Sequence, residues 1–559
     1  MTASGNDPPD HPTGTPASPQ LTEALKARLV AYGVVQDIRA GDVVFRPGDP
    51  AYDLIVIDTG TIDLLIPPAQ DRDEELVTTY GPGGFLGELN LLTGQTMHLL
   101  ARVVSPGRIH RISPAQLRRL MADEPELSDV LLRTFLARRE RLRTGAAAHR
   151  LEIVGLGVSA GALALRTYAA RQRLPHIWLD AGSAAGRGVM ASTPLSASDL
   201  PAVVIHDRVL RNATPGRLAE ALGLSYRSES GDPVDLAVVG AGPAGLAAAV
   251  YGASEGLETV LLDAVGTGGQ AAASSRIENY LGFPSGISGA DLAQSAAVQA
   301  LKFGARLSSP CRAVALETGG HHLRVLLDDG AAVDARTVLV ATGARYRKLP
   351  LEHWERLEGA GIYYAATHLE VQMCAGQPVT VVGGANSAGQ AALYLASNGC
   401  QVTLAIRGGT MEADMSSYLV DRLTTDPRVT VRTSTEVAAL SGADVLEDVT
   451  LLDRDSGART QQPCRSLFCF IGAAPATAWL DGITLDAGGF IRTDVQLDAA
   501  DLSPVWSDLG RSPLPFETSV PGVFAAGDVR AASMKRVASA VGEGASAVRS
   551  IHAATGLRV

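Results

Sequence analysis

Short apolar runs alternate with Gly- and Pro-rich breaks along the whole chain, and the type of run changes from one region to the next. Between residues 19 and 148, a helical stretch (LTEALKARLVAYG) precedes β-type runs such as DLIVIDTGTIDLLIP and ELVTTYGPGGFLGELNLL, and a Leu/Arg-rich helical stretch follows them. Short strands separated by turn residues are typical of an all-β barrel or jelly roll. This region therefore predicts a small β domain that ends in helices.

Residues 149–229 show a different order of elements. LEIVGLG indicates a strand, ALALRTYAARQR a helix and HIWLD a second strand, while LPAVVIHDRVLRN and TPGRLAEALGL indicate a strand pair and a final helix. Strands that alternate with helices are typical of α/β folds. We expect a small α/β domain here, and a generic linker domain of this class is the plainest interpretation.

Two glycine-rich turns mark the rest of the chain, in DLAVVGAGPAGLAAAVYGA and PVTVVGGANSAGQAALYLA. In each, a β-type run leads into the turn and an Ala/Leu-rich helix leaves it, which is the context in which a G-x-G-x-x-G pattern marks a dinucleotide site. The sequence predicts an α/β fold with two Rossmann-like domains. The first spans 230–355 and returns at 483–559, and the second is inserted at 356–482.

These turns supply the first candidate binding residues. The first glycine of the pattern allows a tight turn, and the second lets the backbone approach a pyrophosphate that rests on the helix N-terminus. In the second turn, Ala385 stands in place of the second glycine. Two dinucleotides in one chain indicate electron transfer between them. The candidates are Gly240, Gly242, Pro243, Ala244 and Gly245 in the first turn, and Gly383, Gly384, Asn386, Ser387 and Ala388 in the second.

Composition narrows the function classes. The chain has 559 residues and a formal net charge of −11, which argues against a nucleic-acid partner. Residues 1–18 are polar and Pro-rich, which predicts a disordered tail and not a secretory signal, and no apolar run is long enough to span a membrane. The five cysteines include no C-x-x-C pair, which favours a cytoplasmic protein and offers no metal site.

From about residue 230 the chain resembles the low-molecular-weight thioredoxin reductase family. Besides the first turn, GGQ at Gly268–Gln270, IENYLGFP at Ile277–Pro284, LVATGA at Leu339–Ala344 and SVPGVFAAGDV at Ser519–Val529 match its flavin motifs. The resemblance implies FAD as cofactor and a homodimer. Asp263 suits the adenosine ribose, although an Asp at a strand end is also common. The further flavin contacts that the resemblance implies are Gly269, Gln270, Asn279, Thr342, Gly343, Gly527, Asp528 and Val537.

The same resemblance places cations beside both cofactors. KRVASAVGEGASAV matches the helix that ends at the isoalloxazine, so its dipole and Lys535 or Arg536 would stabilise negative charge on the reduced flavin near N1. Arg407 follows the strand QVTLAI, where the family binds the 2′-phosphate of NADPH. A lone Arg at a strand end is often merely exposed, so NADH stays open as the nucleotide.

The largest departure from the family lies at its redox centre. Thioredoxin reductases carry a C-x-x-C shortly before the second glycine-rich turn, and Ala365 and His368 fall on the cysteine positions here. Without a dithiol, electrons cannot pass from the flavin to a protein disulfide in the usual way. His368 would protonate an acceptor or the reduced flavin, or it would simply replace a packing residue. Cys374 is interpreted as a solitary structural thiol.

The N-terminal β region resembles the cyclic-nucleotide-binding domain. FRPGD, the DTG turn and FLGEL (Phe85–Leu89) match that family's pattern, in which Glu88 would bind the ribose. Met97 and His98 stand where the family places an arginine for the cyclic phosphate, and Arg102 matches a residue of the following strand. Because a buried phosphate without a guanidinium loses its bidentate partner, we expect weak binding of cyclic AMP or GMP, or none.

Residues 149–229 resemble a thioredoxin or glutaredoxin fold that has lost its redox centre. Pro201, before AVVI, would be that family's cis-proline. The active dithiol would lie after the first strand, in GVSAGALA, where no cysteine is present. We therefore expect a redox-inactive thioredoxin-like domain.

These features predict an FAD-dependent pyridine-nucleotide oxidoreductase of the thioredoxin reductase type. A hydride passes from NADPH, or NADH, to FAD, and the electrons go to an external acceptor of unknown identity without an internal C-x-x-C. The alternative is a regulatory flavoprotein with an N-terminal ligand-sensing module and little turnover.

Overall fold

A computed structural model describes residues 21–49, 52–67, 74–93, 99–144, 151–157, 159–205, 208–226, 232–274, 276–277, 279–366 and 368–556. The expected disordered tail at 1–18 lies outside these residues, as do Met97, His98 and the side chain of His368. The chain divides into two compact units, residues 1–151 with 175–177, and residues 152–174 with 178–559.

The first unit is a six-stranded antiparallel β domain followed by two helices. Its fully buried core residues come from the two long strands and the last helix, as in Ile57, Ile109 and Phe135. The elements are α1 (Glu23–Val30), β1 (Val34–Ile38), β2 (Val43–Phe45), β3 (Leu54–Ile66), β4 (Glu75–Tyr80), β5 (Phe85–Leu86), α2 (Asn90–Thr93), β6 (Leu100–Ile112), α3 (Pro114–Asp123) and α4 (Pro125–Thr144). The strands pair in the order β1-β6-β3-β4, with β2 on β6 and β5 on β3.

A small four-stranded sheet follows, with helices between its strands. Its elements are β7 (Leu151–Gly155), α5 (Ala160–Arg171), β8 (Ile177–Asp180), α6 (Ala184–Ser192), β9 (Ala202–Ile205), β10 (Arg208–Leu210) and α7 (Pro215–Ala221). The strand order is β10-β9-β7-β8, and the Leu200–Pro201 peptide bond is cis. The sequence does not predict helix α6, because its two glycines lower helix propensity. The Ser183 hydroxyl stabilises the helix by capping its first turn.

The first dinucleotide-binding domain is built on a seven-stranded sheet. Its elements are β11 (Val234–Val239), α8 (Pro243–Ser254), β12 (Thr259–Leu262), α9 (Gly289–Lys302), β13 (Arg306–Ser308), β14 (Ala313–Glu317), β15 (Leu323–Leu327), β16 (Ala332–Val340) and β17 (Ala344–Tyr346). Parallel strands β13-β12-β11-β16 form one side, and β15 and β14 continue antiparallel. A parallel sheet with helix crossovers buries its strands on both faces, which explains the near-continuous apolar runs.

The inserted domain has a five-stranded parallel sheet and a three-stranded antiparallel one. Its elements are α10 (Trp354–Leu357), β18 (Ile362–Tyr363), α11 (His368–Cys374), β19 (Pro378–Val382), α12 (Asn386–Ser397), β20 (Gln401–Ala405), α13 (Ser417–Thr425), β21 (Val429–Arg432), β22 (Thr435–Ser441), β23 (Asp448–Asp453), β24 (Arg459–Pro463) and β25 (Ser466–Cys469). The larger sheet has the order β18-β25-β19-β20-β21.

The chain then returns to the first domain through β26 (Ala473–Pro475), which pairs antiparallel with β17. The remaining elements are α14 (Val505–Leu509), β27 (Val523–Ala525) and α15 (Val537–Thr555). Strand β27 adds to β16 in parallel, and α15 packs on α8. The two parallel sheets with their helices confirm the α/β fold class. In the part of the chain that the structure describes, no helix is long and apolar enough to cross a membrane.

Candidate functional site

The first glycine-rich turn leaves open space at the N-terminus of α8. Gly240 has a φ of +110°, and a Cβ on it would lie 2.3 Å from the Ala341 carbonyl oxygen. A Cβ on Gly245 would lie 1.8 Å from the Gly240 carbonyl oxygen. A Cβ on Gly242, by contrast, would meet no protein atom within 4 Å. The protein packing therefore requires the outer two glycines, and the middle one faces a space where a phosphate group fits against the helix N-terminus.

The GGQ segment closes onto this turn. The Gly268 amide donates to the Ala241 carbonyl (2.7 Å), and a Cβ on Gly269 would lie 2.9 Å from the Gly242 Cα. The Gln270 side-chain amide donates to the Ala344 carbonyl (2.6 Å). These contacts place Gly269 and Gln270 beside the fingerprint turn, while Asn279 lies exposed further along the same segment.

Asp263 anchors the same turn through its carboxylate. One oxygen accepts from the Ala241 amide (2.8 Å), and the other accepts from the Val265 and Gly266 amides (both 2.8 Å). A carboxylate has about four lone-pair sites, so capacity for a ribose hydroxyl is left. Asp263 thus has a structural task beside the ribose contact, which stays a prediction.

The late flavin motif packs against the start of α8 from the other side. Gly527 has a φ of +76°, its Cβ would lie 2.9 Å from the Ala244 Cβ, and its amide donates to a carboxylate oxygen of Glu543 (2.7 Å). Burial raises the pKa of the neighbouring Asp528 carboxyl. A Cβ on Gly544 would lie 2.0 Å from the Ala244 carbonyl oxygen, so α15 approaches α8 at backbone distance. These contacts bring the two ends of the flavin domain together.

The N-terminus of α15 carries the cations expected beside the flavin. Arg536 is its N-cap residue and Val537 its first residue. The Lys535 ammonium donates to the Asp528 carbonyl and lies 4.2 Å from the centroid of the Phe490 ring. Partial desolvation lowers the pKa of Lys535. Lys535 is therefore held against the late flavin motif. Its hydrogen bond to the Asp528 carbonyl would compete with any hydrogen bond to the flavin.

The structure also shows an ion pair that the sequence patterns did not reveal. Arg530 binds Glu543 through two hydrogen bonds (2.9 and 3.1 Å), and both side chains are largely buried. Burial acts to raise the pKa of Glu543, but hydrogen bonds from Arg530 and neighbouring groups leave it lowered. The pair joins the late motif to α15, and nothing in the spacing of the two residues indicated it.

Hydrogen bonds at Thr342 and Gly343 join the two chain segments that connect the flavin domain to the inserted domain. The Thr342 hydroxyl donates to the Ala476 carbonyl (2.9 Å), and the Ala476 amide donates to the Gly343 carbonyl (3.0 Å). Both residues therefore fix the point at which the chain enters and leaves the inserted domain.

The second glycine-rich turn leads into α12. A Cβ on Gly383, whose φ is +145°, would lie 2.5 Å from the Phe470 carbonyl oxygen. Ala385 is the N-cap of α12 with an extended backbone and an exposed side chain, and Ser387 is also exposed. The Asn386 side chain accepts a hydrogen bond from the Ser416 amide (2.7 Å). The methyl group of Ala385 thus lies on the open side of the turn, where a second glycine would leave more room.

The remaining residues of this turn are packed inside the inserted domain. Ala388 is fully buried in its core, and a Cβ on Gly384 would lie 3.1 Å from the Ile406 side chain. Arg407, just after β20, is exposed. The Arg454 guanidinium donates to the Arg407 carbonyl (3.3 Å), so a second cation lies at the same strand end. Sequence patterns missed Arg454 because it comes from the distant β23–β24 hairpin.

A stacked tyrosine pair lies next to Ala365. The Tyr346 and Tyr364 rings are parallel within 1° with centroids 5.2 Å apart, and the Tyr364 hydroxyl accepts from the Trp354 indole N–H (2.9 Å). Burial raises the pKa of Tyr346 to about 12. Tyr364 directly precedes Ala365, so the pair lies beside one of the two positions at which the resemblance expects a cysteine. No local motif signalled this pair, because its members come from β17 and the loop after β18.

Cys374 is buried, as expected of a structural thiol, but it is not solitary. Its Sγ lies 3.9 Å from the Sγ of Cys400, and both cysteines are fully buried. The hydrogen bond between them and burial raise the pKa of Cys374. Cys311, Cys464 and Cys469 are also buried and unpaired as disulfides, so all five thiols are free. The candidate His368 lies on the same helix as Cys374, because α11 begins at His368 and ends at Cys374.

In the N-terminal β domain, the candidate ribose ligand already has a partner. Arg139 of α4 binds the Glu88 carboxylate through two hydrogen bonds (2.9 and 3.1 Å), and both residues are buried. Arg138 donates to the Gly87 and Phe85 carbonyls and lies over the Phe85 ring, and burial lowers its pKa. Arg102 lies in β6, as its sequence position predicted, and it pairs with Glu74 at the surface.

Comparison with known proteins matches two family models to this chain. A family model described as "Pyridine nucleotide-disulphide oxidoreductase" matches residues 234–544, and one described as "Cyclic nucleotide-binding domain" matches residues 35–124. The chain is 32% identical over 312 residues to a thioredoxin reductase of Treponema pallidum, covering 56% of this chain and 94% of that protein. It is 32% identical over 323 residues to a thioredoxin reductase of Streptomyces clavuligerus, covering 56% and 92%.

A solved structure gives the same result for the fold. The crystal structure of Lactococcus lactis thioredoxin reductase in its FR conformation is 25% identical, with a TM-score of 0.51, and the match covers 58% of this chain and 99% of that one. The chain is thus an NAD(P)H-dependent flavin oxidoreductase whose cofactors are FAD and a pyridine nucleotide. It belongs to the pyridine nucleotide-disulphide oxidoreductase family, as a thioredoxin reductase-like enzyme fused to a cyclic-nucleotide-binding-like domain.

Proposed function

We propose that this chain moves a hydride from NADPH to FAD and passes the electrons directly to an external acceptor, with no protein dithiol in between. The observation that carries the proposal is the segment around Tyr364: Ala365 and His368 stand at the cysteine positions of the family, and Tyr364 stacks on Tyr346. The five cysteines are buried, free thiols. A disulfide relay needs two thiols that approach the flavin, and the described residues offer none there.

The flavin domain would bind FAD with its backbone and helix termini. The open space before Gly242 and the N-terminus of α8 would receive the pyrophosphate, and Gly269 and Gly527 would close the site from two sides. When bound, FAD supplies the two-electron chemistry, and the protein supplies position and electrostatics. Lys535 and the α15 N-terminus would place positive charge near the flavin ring.

The inserted domain would bind NADPH in preference to NADH. Arg407 is exposed just after β20, and the Arg454 guanidinium reaches its carbonyl (3.3 Å) while lying 3.8 Å from a carboxylate oxygen of Glu436. A 2′-phosphate gains charge-assisted hydrogen bonds from a guanidinium, and a 2′-hydroxyl does not. Ala385 would hold the pyrophosphate slightly farther from the backbone than glycine does, so we expect moderate affinity.

Steady-state turnover of the purified full-length protein tests the proposal. NADPH oxidation is followed anaerobically with a quinone or ferricyanide, and then in air with oxygen as acceptor. The proposal expects turnover with at least one of them, and expects NADPH to have a lower KM than NADH. Tight FAD binding with negligible turnover for every acceptor would support the regulatory flavoprotein instead.

The contacts of Glu88 favour the enzyme over the regulatory flavoprotein. A sensor of cyclic nucleotides needs a ribose-binding carboxylate, and that of Glu88 is bound by Arg139. The same carboxylate also accepts a hydrogen bond from the Asn90 amide (3.1 Å), so a ribose hydroxyl would have to share a buried group whose lone pairs are mostly engaged. The homodimer expected from the resemblance is part of the proposal, and light scattering of the purified protein tests it.

A further inference from the structure

Residues 151–221 form the small four-stranded α/β domain described above, called here the small unit. Its helix α5 lies against both dinucleotide-binding domains. Its first half contacts the inserted domain. The Cα and Cβ of Ala160 would lie 3.3 and 3.2 Å from a Cβ on Gly359, and Leu163 packs against the buried cluster that contains Tyr363 and Ala366. This contact lies at Gly359, in the segment that leads to Ala365, one of the two positions at which the resemblance expects a cysteine.

The second half of α5 and the turn after it contact the flavin domain. Tyr168 is fully buried, and its hydroxyl donates to the Ser309 carbonyl (3.1 Å). The Gln172 side chain donates to the Ser309 hydroxyl, and Arg173 pairs with Asp291 (2.7 Å). One helix therefore contacts both domains at once, with an apolar contact at one end and polar contacts at the other.

The sequence resemblance to thioredoxin makes the end of the small unit that faces the inserted domain the active end of that fold. A Cβ on Gly161 would lie 3.3 Å from the Pro201 ring, so the start of α5 and the loop before β9 lie side by side. The sequence resemblance places the thioredoxin dithiol in GVSAGALA, which contains this helix start. The segment in which the resemblance expects the thioredoxin dithiol therefore contacts Gly359, a few residues before the segment in which it expects the reductase dithiol.

We propose that the small α/β unit permanently occupies the surface at which a thioredoxin-type protein would meet this enzyme, so that the electron acceptor is a small organic molecule. The inference rests on the proposed transfer from flavin to an external acceptor. The reaction balances as follows. NADPH and one proton from solvent supply two electrons and two protons, which convert the acceptor to its dihydro form, and NADP⁺ is released. Residues 359–366 take no part in that transfer.

Because the unit is tethered, we expect a free thioredoxin not to displace it. A domain on a short linker has an effective concentration on the order of millimolar. A free thioredoxin at about 10 μM would therefore meet a competitor present at roughly 100-fold higher effective concentration. The buried Tyr168 adds a contact that a free partner would have to replace.

Two acceptors offered to the full-length holoenzyme test the acceptor class. With NADPH, a water-soluble naphthoquinone should be reduced continuously. Thioredoxin in its disulfide form should not be reduced, and at about ten times the quinone concentration it should leave the quinone rate unchanged. Reduction of thioredoxin, or competitive inhibition by it, would overturn the inference and leave the proposed function intact. Absence of turnover with quinone, ferricyanide and oxygen would overturn the proposed function itself.

A variant pair tests the docking. Leu163→Glu places a charge in the apolar contact, and Ala164→Glu places the same charge at the next, exposed position of the helix. We expect amide hydrogen exchange in residues 359–366 to be at least tenfold faster in Leu163→Glu than in the wild type or in Ala164→Glu, with FAD content unchanged. Equal exchange in all three proteins would show that α5 does not cover this segment; if Leu163→Glu does not fold, Leu163→Ala takes its place.

Discussion

Gly242→Val should give a folded protein that has lost FAD. Gly242 has an extended backbone (φ −75°, ψ −177°), which valine adopts readily, and its Cβ would meet no protein atom within 4 Å. The added side chain would instead fill the space in front of α8. Two charge-assisted hydrogen bonds to the pyrophosphate, each about 1.5–3 kcal/mol, would be lost, which weakens FAD binding by roughly two to four powers of ten.

The measurement is the ratio of flavin to protein absorbance after purification, followed by titration of the apoprotein with FAD. Gly319→Val is the matched control, because Gly319 lies in the same domain and its Cβ would also meet no atom within 4 Å. Circular dichroism should show the wild-type fold for both variants. Gly245→Val should fail to fold, since its Cβ would lie 1.8 Å from a carbonyl oxygen. A fully yellow Gly242→Val protein would refute the placement of the flavin site.

Three further predictions test the other sites. Ala385→Gly should lower the KM for NADPH a few-fold in steady-state kinetics, because the N-cap backbone suits glycine and the methyl group faces the open side. Arg407→Ala should raise the Kd for NADPH by about ten- to a hundredfold while changing that for NADH little, and equal losses would remove Arg407 from the phosphate site. Glu88→Ala should destabilise the N-terminal domain by about 3–5 kcal/mol in urea denaturation, because Arg139 stays buried without its partner. Glu74→Ala, which breaks an exposed pair, should cost less than about 1 kcal/mol.

The glycine-rich turns could be predicted from sequence because their requirement is local. Gly240 needs a positive φ and a backbone approach to the next strand, and both follow from a strand that leads directly into a helix. The same holds for Gly383 in the inserted domain. The parallel sheets followed from long apolar runs that alternate with helices, because each strand is buried on both faces.

The pairs that shape the sites could not be predicted, because their members lie far apart in the chain. Arg139 reaches Glu88 across 51 residues, and Cys400 meets Cys374 across 26. Such contacts depend on where whole elements pack, and no local spacing encodes that. Arg139 stands in the Leu/Arg-rich helical stretch, where charged side chains are usually exposed, and the structure instead buries it.

The central claim is that electrons leave the flavin without a protein dithiol, and anaerobic titration with NADPH tests it most directly. FAD accepts two electrons, so one equivalent of NADPH per FAD should bleach the flavin completely. An enzyme with a redox-active disulfide would take up a second equivalent, because that disulfide accepts two more electrons. Complete bleaching at one equivalent is the predicted result, and an end point at two equivalents would contradict the account.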